Sequence, residues 1–289
     1  MSLEHKIDFK VVISVKDANP NGDPLNGNRP RQTMEGYGEI SDVAIKRKLR
    51  NALQDQGQKI FVQSDDRATD GFKSLKERAG AIDGLKEAQE KKDTEAYARI
   101  ACQEWFDVLA FGSVFAFKNK KGGAGDGLSV GVRGPVSIQM AKSITPIEIN
   151  EMQITKSVNS EPGKKKSSDT MGMKFTVDYG VYVFNGSISP QLAEKTGFSA
   201  EDAEALHQAL IHMFDNDSSA ARPAGSMEVL KVYWWEHNSK AGQYSPAQMH
   251  RSIKVLSKTG DQVMRSVADV EFDESHKYDD VDVEIYSGL

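Results

Sequence analysis

The sequence predicts an α+β protein organised on an antiparallel sheet, and three observations lead there. Ile7 to Lys16 alternates apolar and polar residues, Ser41 to Leu53 repeats its apolar residues at helical spacing, and alternating runs return after residue 128 with helical stretches among them. At 289 residues the chain allows one large domain with insertions or two small ones.

In the first run Ile7, Phe9, Val11, Ile13 and Val15 share one face, with Asp8, Lys10, Ser14 and Lys16 on the other. That pattern predicts a strand with one buried face. Asn19 to Arg31 then reads NPNGDPLNGNRPR, with three prolines, two glycines and four asparagines. Each of these residue types restricts the backbone to turn conformations, so an ordered loop is expected, either as a binding element or as a plain connection.

Ser41 suits an N-cap, Asp42 suits the first turn, and Gly57 suits the stop. Ile45, Leu49, Ala52 and Leu53 make the core stripe. Lys46, Arg47, Lys48 and Arg50 put four cations in five positions. Read as lacking acidic partners one turn away, they would repel each other and attract an external anion. A solvated basic face is the plainer alternative.

Ser64 to Lys92 has no steady period and reads as an insertion with short helices. Asp93 to Phe111 is expected to be one helix, closed by Gly112. Lys118 to Gly127 (KNKKGGAGDG) lacks the spacing of a nucleotide cradle and reads as a loop. Leu128 to Ile144 is strand-like around Arg133-Gly134-Pro135, where an arginine beside close-approaching backbone fits a phosphate contact. Met152 to Val158 and Met171 to Ile188 flank NSEPGKKKSSD and predict a long hairpin with a basic tip.

Ser189-Pro190 opens a short helix closed by Gly197, and Ser199 to Asp202 starts a second, with Leu206, Leu210, Met213 and Phe214 inward. His207 and His212 lie five residues apart, too far round a helix to share a metal. Val229 to Trp235 reads as a buried strand whose tryptophans face opposite sides, able to stack a base but expected in the core. Ser252 to Leu256 and Val281 to Tyr286 add strands. The whole order is compatible with a split βαβ sheet of the ferredoxin or RNA-recognition type.

Composition narrows function. Net charge is −5, yet Asp269 to Glu284 holds eight acids against one lysine, so the remainder is net positive by two. Segregated charge of this kind leaves a nucleic-acid partner open. No run is long and apolar enough for a membrane span, and no secretion signal is visible at the N-terminus. The single cysteine, Cys102, excludes an internal disulfide, suits a reducing cytoplasm and reads as a packed thiol. No His/Cys/carboxylate cluster has metal-ligand spacing, so no metal or other cofactor is expected.

The segments NPNGDPLNGNRPR (Asn19 to Arg31), ISDVAIKRKLRN (Ile40 to Asn51) and VRGPVSIQMAKSITP (Val132 to Pro146) resemble the backbone subunits of type I-C CRISPR Cascade complexes, in the RAMP superfamily. Thr170 to Ser199 and FDNDSSAAR (Phe214 to Arg222) continue the resemblance, which lapses near residues 64 to 92 and in the tail. It implies a hand-shaped chain with an RNA-recognition-like palm (about 1–60 and 128–289), a helical finger insertion (about 61–127) and a thumb hairpin (about 153–178). It also implies a non-catalytic scaffold that polymerises head to tail along guide RNA and leaves guide bases free for target DNA. The implied partners are other copies, an RNA-processing end subunit, large and small Cascade subunits and a recruited helicase-nuclease.

Lys46 and Arg50 match family positions that contact guide phosphates. Arg47, Arg29, Arg31 and Arg133 are further candidates, and Met171 or Met173, beside Lys174, would wedge between bases. The acidic tail is expected to dock on a neighbour's basic face and to be dispensable for monomer folding. The alternatives are a RAMP-type endoribonuclease using a loop carboxylate such as Asp23, and a protein-only scaffold.

Overall fold

A computed structural model describes residues 2–117, 128–155 and 171–289. β1 (Ile7–Ala18) enters the Asn/Gly/Pro loop, where β2 (Gly22–Asp23) and β3 (Arg29–Pro30) pair, and β4 (Tyr37–Ile40) leads into α1 (Asp42–Asp55). The insertion carries α2 (Leu75–Gly80), α3 (Asp83–Glu90), α4 (Thr94–Glu104) and α5 (Phe106–Phe111), and ends in the paired β5 (Ser113–Ala116) and β6 (Ser129–Val132). β7 (Val136–Ile138), β8 (Ala141–Pro146), β9 (Ile149–Thr155) and β10 (Met171–Ile188) follow. After them come α6 (Pro190–Thr196), α7 (Ala200–Ile211), β11 (Met227–Glu236), α8 (Pro246–Ser252), β12 (Lys254–Ser257), β13 (Val270–Asp273) and β14 (Asp282–Ser287).

The main sheet has the order β14-β11-β1-β10-β8-β4, every pair antiparallel, with β7 and β9 also on β10. β1 is central because its odd-numbered apolar residues have a partner strand on either side. Phe9, Val11, Ile13 and Val15 point into one core with Leu49 and Leu53 of α1 and Leu206 and Leu210 of α7. Ser41 caps α1 by accepting from Ala44 N at 3.3 Å. Ser199 and Asp202 form the reciprocal capping pair expected at α7.

The expectation of one buried face on β1 is wrong. Asp8 and Lys10 are buried as fully as their apolar neighbours. The second face is covered by residues 237–281, where Met249, Ile253, Met264, Val270 and Val281 pack on Val12, Tyr179, Leu230, Tyr233 and Trp235. The polar side chains survive burial because each is paired. Asp8 Oδ2 lies 2.8 Å from Lys6 Nζ and 2.9 Å from His237 Nε2, and Lys10 Nζ donates to Ile253 O at 2.6 Å. Trp234 and Trp235 face opposite sides as predicted, and both are buried.

Two further expectations are corrected. The helix predicted over Asp93 to Phe111 breaks at Trp105, whose backbone is extended; there Phe106 N leaves the helical ladder for Lys59 O at 2.8 Å. The acidic tail is part of the fold: β14 adds to β11, and Glu274 accepts from Lys231 Nζ at 2.8 Å and Tyr233 Oη at 2.7 Å. The insertion has its own core, in which Phe61, Tyr97, Trp105 and Phe115 form a cluster of ring contacts.

Candidate nucleic-acid interface

The 19–31 loop is ordered by its asparagines. Asn19 Nδ2 donates to Asn28 O at 2.6 Å, and Asn21 Oδ1 accepts from Ser41 N at 2.9 Å, joining the loop to the start of α1. Asn19 N donates to Ala221 O at 2.9 Å, tying the loop to the 214–222 segment as well. Gly27 and Asn28 sit at φ of 58° and 61°, the left-handed region that these residue types tolerate. Asp23 accepts from Leu25 N at 3.1 Å and lies 3.5 Å from Arg31, so its carboxylate caps the turn.

On α1 the cations do have partners, against the sequence expectation. Lys46 Nζ lies 3.1 Å from Asp42 Oδ2, one turn earlier. Lys48 is buried and pairs with Asp217, with its ammonium over the Phe214 ring. Arg50 Nε lies 2.8 Å from Asp107 Oδ2 and stacks over Phe111. Arg47 NH1 donates to Val62 O at 2.7 Å. The Lys46 partner, Asp42, stands at i−4 on the same helix and was overlooked, whereas Asp107 and Asp217 come from distant elements and were invisible in sequence. Burial, aided by the Arg50 charge, lowers the Arg47 pKa below the ordinary arginine range. Burial also lowers Lys48, and Asp217 opposes that shift.

α1, the loop and two distant segments enclose an open cleft of about 800 Å³. Its lining includes Arg47 and Lys48 of α1, Ser64 and Arg67, and Asn216, Ser219 and Arg222. Arg67 is braced by Asp55 at 2.7 Å and Asn216 O at 2.6 Å, and Arg222 by Asp217 at 3.0 Å. Four cations thus meet three carboxylates (Asp55, Asp66, Asp217) across this cleft.

The loop also leans on the hairpin. Arg29 pairs with Glu151 of β9 and lies over the Phe175 ring of β10. Beyond that contact, Met171, Met173 and Lys174 are exposed on β10, and Met152 and Ile154 on β9. Cross-strand register puts Met171, Met173 and Phe175 on one face and Met152, Ile154 and Lys174 on the other, so both faces carry exposed apolar side chains. The basic tip lies outside the described residues. Arg133 is exposed, with no ion pair among the described residues, on a turn pressed tight at Gly134. Arg31 lines the loop. Arg50 is drawn inward, away from the cleft.

Residues 5–275 match the sequence profile described as CRISPR-associated protein Cas7. The chain belongs to that family. Its relative from Haloferax volcanii, also named CRISPR-associated protein Cas7, is 28% identical over 286 residues, covering 94% of this chain and 82% of that protein. A solved chain named CRISPR RNA-guided surveillance complex superposes with a TM-score of 0.46 and 15% identity, covering 80% of this chain and 68% of that one. Another, named CRISPR RNA-guided surveillance complex, pre-nicking, gives 0.46 and 14%, covering 80% and 78%.

For this Cas7-family chain the sequence reading missed Arg67 and Arg222 as cleft residues. Arg222 ends the FDNDSSAAR segment, whose only signal in the sequence is its family resemblance. Arg67 sits in a polar stretch with no period, and only the fold brings it to α1. Three histidines are closed off: His207 and His237 are buried, and His250 donates to Gly186 O at 3.0 Å.

Proposed function

We propose that this chain is the backbone subunit of a CRISPR RNA-guided surveillance complex of the type I-C kind, a non-catalytic scaffold for guide RNA. The observation that carries this reading is the cleft, where guanidinium groups from α1 and two distant loops converge beside an ordered loop. Arg47, Arg67 and Arg222 are the proposed phosphate contacts, with Lys46 at the rim and Arg29, Arg31, Arg133 and Lys174 along the continuing path. Guanidinium contacts to phosphate hold a strand whatever its sequence, which a guide requires.

The order β11-β1-β10-β8, with α1 and α7 on one face, supports reading the sheet as an RNA-recognition-type palm, with the insertion as fingers and the β9–β10 hairpin as thumb. Unlike a free RNA-recognition sheet, this one is closed on its second face by residues 237–281, so base stacking falls to the hairpin methionines. Copies are proposed to assemble head to tail along the guide, together with the other subunits of the complex and target DNA, in the cytoplasm.

Co-expression with a repeat–spacer transcript tests this directly. The expected product is a large particle containing RNA of discrete length, and its yield should fall with Arg47→Ala and Arg222→Ala combined. Monomeric protein free of RNA would reject the scaffold. RNA cleavage that Asp23→Ala abolishes would replace it with an endoribonuclease.

A further inference from the structure

β14 ends the main sheet and, among the described strands, pairs only with β11. Gly288 N donates to Leu230 O at 3.0 Å, which sets the phase of the ladder. Alternate residues of an antiparallel strand bond to the same side. Asp282, Glu284 and Tyr286 therefore bond to β11, while Val283, Ile285 and Ser287 turn their N–H and C=O outward. Open edges are usually blunted by lysine, proline or a bulge. This strand, DVEIYS, has neither residue, and its register runs unbroken from Lys231↔Ser287 to Glu236↔Asp282.

The side chains at this edge are sorted by face. Val283 and Ile285 lie on one face, 39% and 43% exposed, and Asp282 and Glu284 on the other. On that second face His207 is fully buried and stacked on Trp234 at 4.5 Å, and neither ring nitrogen has a hydrogen-bond partner. Its Nδ1 points at Glu204 Oε2 and Glu284 Oε2, 3.8 Å and 3.9 Å away. Burial lowers the His207 pKa and favours the neutral ring, so the two carboxylates face a histidine that leaves their charge uncompensated.

We propose that the open edge of β14 takes up an extended strand of another protein chain, with Lys or Arg at alternate positions and apolar residues between them. Its backbone would bond to Val283, Ile285 and Ser287. Its cations would meet Asp282, Glu284 and Glu204, and its apolar side chains would cover Val283 and Ile285. From Asp279 to Leu289 there are four acids and no lysine or arginine, so two β14 edges repel each other and nucleic acid is disfavoured. Among the described strands, no exposed one offers that alternation.

The test is fluorescence anisotropy of a labelled peptide of alternating lysine and valine, titrated with the full chain. Saturable binding is expected. It should be lost when alternate peptide nitrogens along one edge are methylated, and weakened about ten-fold or more by Glu284→Lys. That variant keeps the β11 ladder, because the Glu284 side chain is exposed. Ile285→Pro, which removes an outward N–H together with the Ile285 side chain that the partner would cover, should have a similar effect. The proposal is overturned if the wild-type chain does not bind, if the methylated peptide binds equally, or if Glu284→Lys changes nothing. A wild-type dimer dissolved by Glu284→Lys would also overturn it, by giving the edge to a second copy.

Discussion

Arg50 Nε lies 2.8 Å from Asp107 Oδ2, and the same buried carboxylate accepts from Phe61 N at 2.7 Å and Val62 N at 3.1 Å. One acid therefore holds α1, α5 and the 61–62 turn together, joining the two main cores. Removing one member of a buried pair leaves the other uncompensated. Arg50→Ala and Asp107→Ala should each cost about 3 kcal/mol or more in urea unfolding. An unchanged urea midpoint for Arg50→Ala would release Arg50 from this structural role and return it to the list of phosphate contacts.

Arg47, Arg67 and Arg222 differ from Arg50 in facing the cleft. Each phosphate contact removed from a single strand should flatten the log–log salt dependence of RNA affinity by about 0.7. Arg47→Ala and Arg222→Ala are expected to do so for any guide sequence, while Arg50→Ala leaves the slope of its folded fraction unchanged. Parallel salt plots for wild type and both cleft variants would remove these residues from the interface.

Local signals were legible where one short stretch carries the cause. The Asn19–Arg31 turns and the Ser41 and Ser199 caps follow from residues within a few positions of one another. What the sequence hid depends on distant pairing. Asp8 and Lys10 read as solvent-facing because the layer that covers them begins more than two hundred residues later. Lys48 and Arg50 read as unpaired because Asp217 and Asp107 reach them only through the fold, while the Asp42–Lys46 pair one turn apart was legible and overlooked. The same blindness made the tail look like an appendage, although Val270 and Val281 are buried.

Cys102 gives a check on the insertion's core. It is buried against that cluster, and burial pushes its thiol up to about 11. At neutral pH the thiolate is scarce, and reagent reaches it only through opening. Labelling with an aromatic disulfide should therefore track unfolding, rising with urea in step with loss of the tryptophan signal. Rapid stoichiometric labelling of the folded chain would mean that this core is open in solution.

Deletion of the acidic tail, expected from sequence to leave monomer folding intact, should instead destabilise the monomer. Deleting residues 270–289 removes β13 and β14, exposes Trp235 and Tyr233, and takes Glu274 from the Lys231 ammonium and the Tyr233 hydroxyl. Such a chain should lose cooperative unfolding and become insoluble, whereas Glu284→Lys unfolds like wild type. A soluble, cooperatively folding truncation would show that the sheet stands without its acidic edge.

Lys10 makes the second face of the sheet sensitive to alkali. Its ammonium is buried beneath α8, and desolvation lowers its pKa from 10.5 to about 8. The unfolded chain therefore holds more protons than the folded one between those two values, so stability rises with pH through that window. Below about 8 both states are charged and the penalty is constant. The full effect is bounded at about 3 kcal/mol, less whatever the hydrogen bond to Ile253 O returns. Buried Tyr182 and Tyr233, whose pKa values are raised, push stability the other way above pH 10. The comparison that isolates Lys10 is thus the difference between wild type and Lys10→Met in urea midpoint at pH 7.5, about 9 and about 10. Wild type should gain on the variant as pH rises. Parallel profiles would mean that the ammonium stays charged against Ile253 O throughout, and that the second face tolerates a buried cation at no electrostatic cost.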